Sequence, residues 1–116
     1  MNLIDSPAWR ALAAHAEAIR PQHLRELFAD NPARFEQFSL SHDGLLLDFS
    51  KQRINPETLS LLHAFAEAAN INDWKQKMLA GETINHTEGR AVRHMALRAG
   101  EQAPSEVQLV LSRLQA

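Results

Sequence analysis

The apolar residues of this chain change period twice, and that change limits what it can fold into. Trp9, Leu12, Ala16 and Ile19 recur at helical steps, whereas Phe38 and Leu40, then Leu45, Leu47 and Phe49, alternate singly on either side of Asp43-Gly44. Asp43-Gly44 supplies a turn able to reach positive φ, so the alternating stretch predicts a β-hairpin near 37–50. From Pro56 onward the helical period returns. The pattern predicts a mainly α chain with one small β-hairpin, organised as a single helical segment over 1–116.

The helix boundaries follow from caps and breakers. Ser6-Pro7 reads as an N-cap followed by a proline at the first helical position, and Pro21 ends what begins there, giving a helix near 7–20. Leu24, Leu27 and Phe28 mark a short second helix ending near Asn31-Pro32, with Phe35 and Phe38 in a further turn. Asn55-Pro56-Glu57 repeats the cap-plus-proline device. Leu59, Leu61, Leu62, Phe65, Ala66 and Ala69 then spread over about half of the helix circumference, which predicts burial on two sides. Asn72 is expected to cap a helix carrying Trp74, Met78 and Leu79 that Gly81 ends. A further helix is expected over 88–99, capped by Asn85 with Glu88 or by Thr87 and closed by Gly100, and a last one after Pro104 carries Val107, Val110, Leu111 and Leu114 on one face. Its stripe is still in phase at Ala116 with no terminating residue, so the sequence reads as that of a truncated chain.

Composition excludes several classes. At 116 residues the chain has the length of one small domain, and twelve Lys plus Arg against fourteen Asp plus Glu leave a net charge of -2, so neither nucleic acid nor an anionic membrane is an expected partner. Without cysteine there is no disulfide framework and no thiolate metal site. The start Met1-Asn2-Leu3-Ile4-Asp5 lacks the blocks of a signal peptide, and no apolar run reaches membrane-span length, so a soluble cytoplasmic protein is expected.

Chemistry is sparse. On a helical wheel over 88–99, Arg90, His94 and Arg98 form a row opposite Ala91, Val92, Met95, Ala96 and Ala99, with Leu97 among the cations. Guanidinium forks suit phosphate oxygens, but such rows are more often solvated or salt-bridged scaffolding. Arg90 and Arg98 are therefore expected to find carboxylate or carbonyl partners, with Val92, Met95 and Ala96 in the core. Gly81 and Gly89 do not form a phosphate-binding loop, and the histidines, His86 and His94 included, never fall into a zinc-protease spacing. Glu57 and Glu67 sit where solvated carboxylates are usual, and no Gly-x-Ser-x-Gly elbow is present. The sequence offers no catalytic, substrate-binding or metal residue and calls for no cofactor. His86, Arg90, His94 and Arg98 are read as structural.

The segment Gly81-Glu82-Thr83-Ile84-Asn85-His86-Thr87-Glu88-Gly89-Arg90-Ala91-Val92-Arg93-His94-Met95-Ala96-Leu97-Arg98 resembles the Gly-Glu-x-Ile-Asn-x-Thr-Glu-x-Arg-Ala-Val-x-His-x-Ala-Leu-Arg stretch near the N-terminus of phosphoglucose isomerases. Upstream, Phe38-Ser39 and Asp48-Phe49-Ser50-Lys51-Gln52-Arg53-Ile54 are similar to the family at the matching distance, as is the opening helix with Trp9. The chain departs from the family at Arg93 and Met95, where aliphatic residues are frequent, and in a short connection from Ala99 to Pro104.

The resemblance implies an enzyme that interconverts glucose 6-phosphate and fructose 6-phosphate as a cytoplasmic homodimer, without metal or nucleotide cofactor. It implies a glutamate base, a histidine and a lysine for ring opening, and Ser/Thr-rich phosphate loops, all in later sugar-isomerase αβα domains that lie outside this sequence. No position here matches them. This chain would then be scaffolding, an N-terminal helical segment packed on the first αβα domain, with the remainder of the isomerase chain as its partner. The alternative is a stand-alone helical interaction module using Arg90, His94, Leu97 and Arg98.

Overall fold

A computed structural model describes residues 2–114, which fall into two compact units divided between Ala69 and Asn70. In the first, a 3-10 turn at Leu3–Asp5 precedes α1 (Pro7–Ile19), α2 (Leu24–Ala29), α3 (Arg34–Gln37), β1 (Ser39–His42), β2 (Leu45–Asp48) and α4 (Pro56–Ala68). Each long helix starts on the device its sequence carries. Ser6 Oγ accepts from Trp9 N at 3.1 Å with Pro7 following, and at α4 Asn55 Oδ1 accepts from Thr58 N at 2.9 Å while Asn55 N donates to Thr58 Oγ1 at 3.0 Å. His23 caps α2, its Nδ1 accepting from Arg25 N at 3.2 Å while Glu26 reaches back to His23 N at 2.9 Å.

The two strands pair antiparallel from Ser39 opposite Asp48 to His42 opposite Leu45. Asp43 and Gly44 both take positive φ, 47° and 78°, as a two-residue hairpin turn requires.

Helices α1 and α4 pack together, with Trp9 and Phe65 rings 5.5 Å apart. The buried stripe of α1 runs through His15 rather than Ala16, which is exposed. The expected two-sided burial of α4 is partial: Leu59, Leu61, Phe65, Ala66 and Ala69 are half-buried, Leu62 stays 40% exposed, and Thr58 is the one buried residue of the helix. The centre of this unit is instead Phe38 and Arg34, each 1% exposed, beside Ser50.

The second unit holds α5 (Ile71–Ala80), 3-10 turns at Ala96–Arg98 and Gly100–Gln102, and α6 (Ser105–Leu114), with Ala103 and Val107 buried. Two expectations are corrected here. Helix α5 starts at Ile71, because Asn70 leaves the right-handed region with φ 54°, so Asn72 lies within the first turn and is not its cap. Gly81 ends α5 as expected.

More consequentially, no helix spans 88–99. Asn85 and Arg90 exchange backbone hydrogen bonds of 3.1 and 3.2 Å around a tight loop, and Gly89 sits at φ 64°. Glycine adopts that conformation without cost, whereas in a helix interior it loses about 1 kcal/mol to alanine. A short helix also depends on packing its apolar face. Here Met95 is 50% exposed, and Val92 and Ala96 are only half-buried, so the expectation that these three lie in the core is overturned. The last helix forms where expected up to Leu114; its expected extension to Ala116 lies outside the described residues. No described helix is long and apolar enough to cross a membrane.

Candidate functional site

Two polar centres stand out, and both are in the first unit. Arg34 Nε donates to Ser50 O and its Nη2 to Gln52 O, each at 2.7 Å, and the guanidinium lies 4.6 Å from the Phe38 ring centroid and 5.4 Å from that of Phe28. Burial pulls its pKa below the ordinary arginine value, yet an arginine stays charged in a protein. No carboxylate faces it among the described residues. Carbonyl dipoles and ring faces balance the cation, which fastens the segment after β2 onto α3. That segment is tied twice more. Asp48 Oδ1 accepts from Ser50 Oγ at 2.6 Å and Ser50 N at 2.9 Å, and Arg53 donates to the carbonyls of Arg20 and Gln22. The Ser50 hydroxyl first, and its backbone N–H next, hold the Asp48 carboxyl below the usual aspartate value.

The second centre is His15, buried between α1 and α4. Its Nε2 lies 2.7 Å from Thr58 Oγ1 and its Nδ1 3.5 Å from Glu57 Oε2. Thr58 thereby joins the cap of α4 to α1. The imidazole has no open face toward a ligand, and Glu57 is exposed, so the pair reads as an inter-helix fastening. Helical spacing from Leu12 and Ile19 suits position 15 as well as the expected Ala16, so the apolar pattern alone did not single it out; Arg34 carried no signal of that kind.

The predicted cationic row is dispersed along with the helix that would have carried it. Arg90, His94 and Arg98 are exposed, and neither Arg90 nor Arg98 has a side-chain hydrogen bond or ion pair among the described residues, contrary to expectation. Arg93 pairs instead with Glu106, and His86 lies edge-on to Trp74 at 5.8 Å. Asn85 Oδ1 does accept from Glu88 N at 3.2 Å, the contact expected of a helix cap, but it closes a loop. Arg93 and Arg98 flank an apolar cleft of about 380 Å³ lined by Met78, Leu79, Val92 and Met95. No group of three or more His, Cys, Asp or Glu stands together among the described residues in a way that could hold a metal ion. The Thr58 hydroxyl does stand beside the His15 imidazole, but both side chains are buried and Thr58 Oγ1 also donates to Asn55 Oδ1 at 2.9 Å, so the pair is engaged in fastening the helices.

A family model described as phosphoglucose isomerase matches residues 48–112. The chain belongs to the phosphoglucose isomerase family. Among curated relatives, it is 71% identical over 116 residues to a glucose-6-phosphate isomerase of Dechloromonas aromatica (strain RCB), covering 100% of this chain and 22% of that protein. It is 47% identical to those of Anaeromyxobacter sp. (strain K) and Shewanella sp. (strain ANA-3), covering 98% and 97% of this chain and again 22% of each relative. The phosphoglucose isomerase match runs through β2's end, the Arg34-bound segment, α4 and the loop at Asn85, so both polar centres have part of their structure inside it. The chain spans about a fifth of the length of the relatives it matches.

Proposed function

We propose that this chain serves as the N-terminal scaffold segment of a glucose-6-phosphate isomerase, which interconverts glucose 6-phosphate and fructose 6-phosphate in glycolysis and gluconeogenesis. The observation that carries the proposal is the 71% identity along the whole chain to an isomerase of which it covers 22%. The polar centres support the role assigned to the segment: Arg34 and His15 are spent on internal contacts and present no group to a sugar phosphate. Base, ring-opening groups and phosphate loops then belong to the remainder of the polypeptide, on whose first αβα domain all 116 residues pack as one segment. The whole enzyme is proposed to be a cytoplasmic homodimer needing no cofactor.

The test is a chimaera in which this chain replaces the matched segment of the Dechloromonas aromatica protein. Turnover of fructose 6-phosphate in a coupled assay is expected from the chimaera and not from the 116-residue chain alone. Turnover by the chain alone would refute the scaffold role.

A further inference from the structure

The hairpin is held firmly at its base and left bare along its strands. At the base, Phe49 N donates to Phe38 O at 2.9 Å, the Phe38 and Phe49 rings meet edge-on at 6.0 Å, and Arg34 fastens the segment that follows. Beyond that base, Leu40, Leu45 and Leu47 are 63%, 76% and 61% exposed. The register pairs Leu40 with Leu47 and His42 with Leu45, so these three leucines share one face, while Ser39, Ser41 and Asp48 fall on the other with Leu46. One side is therefore apolar but for His42, and the other polar but for Leu46, the pattern of a sheet built to be covered once. A two-stranded hairpin without such cover is only marginally stable.

We propose that the Leu40, Leu45 and Leu47 face is covered, within the same subunit, by the isomerase polypeptide that lies outside the matched segment. This rests on the functional reading above. Relatives covered to only 22% have ample chain to supply the cover. A second copy fits poorly: four-residue strands span about 13 Å and lie about 4.8 Å apart, a face of order 10² Å², whereas a stable interface takes about 800 Å² from each partner. The face is the right size for a continuation of one subunit's core.

The chimaera described above carries the test, with Leu45→Cys introduced into it. Maleimide labelling of that cysteine, followed by peptide mass spectrometry, should be at least about fiftyfold slower in the native chimaera than in urea. Equal rates within about threefold would overturn the proposal. In parallel, Leu45→Glu with Leu47→Glu should lower the thermal midpoint by about 5 °C or more at unchanged molar mass by light scattering. Dissociation into smaller species on dilution would overturn it in favour of a contact between copies. Labelling reads cover whether or not the protein turns over, so an inactive chimaera that still protects Leu45→Cys would count against the functional reading alone.

Discussion

Arg34 shows how a cation with no carboxylate partner among the described residues is accommodated in a small core. Two carbonyls accept from it at 2.7 Å and two aromatic rings take its faces, so its removal leaves Ser50 O and Gln52 O without donors. Arg34→Met should cost about 2–3 kcal/mol in urea denaturation of the chain, since hydrogen bonds to a buried charge are the strong ones. A loss under about 0.5 kcal/mol would show that the carbonyls find other donors. Asp48 gives a pH dependence of definite sign. Its folded pKa lies below the ordinary 3.8, so its contribution to stability is fully present above that value and fades as pH falls below it through the folded value. Asp48→Asn should flatten the stability profile below about pH 4 and leave its slope near neutrality unchanged, as urea midpoints measured at several pH values will show. Neither residue announced itself in the sequence. Arg34 sits in a four-residue helix where no periodicity can be read, and Asp48 lies on an exposed strand whose only special feature is a serine two positions on. Their roles depend on partners brought by the fold, as does that of His15, which meets Thr58 and Glu57 of α4.

The elements that were legible carry their instructions locally. Ser6-Pro7, Asn55-Pro56 and Asp43-Gly44 each act through atoms within three residues, and α1, α4 and the hairpin form where they predict. The expected helix over 88–99 rested on an apolar face, a cap at Asn85 or Thr87 and a stop at Gly100, and that face stays largely exposed at Met95. Gly89 decides the local geometry instead. A Cβ there would meet nothing within 4 Å, so the cost of Gly89→Ala is purely that of forcing alanine to φ 64°, about 1 kcal/mol. Backbone ¹³C shifts should place 91–93 outside the helical range in the chain; helical shifts there would contradict the loop. Thr58→Val tests the other end of the scale. It removes the acceptor for Asn55 N and the hydroxyl that meets His15, and should cost about 1–2 kcal/mol while α4 persists by circular dichroism.

For the whole molecule, the polar groups of the two buried centres are engaged within the protein, and the cations of the expected row are spread over an exposed segment. What the sequence offered here was a family resemblance along its length, with no spacing of residues that pointed to a reaction. The central claim is that this segment holds the enzyme together and does not touch its substrate. The most direct measurement is the Michaelis constant for fructose 6-phosphate of the chimaera carrying Arg90→Ala and Arg98→Ala, the two arginines of the expected cationic row, which have no side-chain partners among the described residues. The account predicts a Michaelis constant within about twofold of the unmutated chimaera, whereas a rise of about tenfold or more, equivalent to losing a charge-assisted phosphate contact, would contradict it.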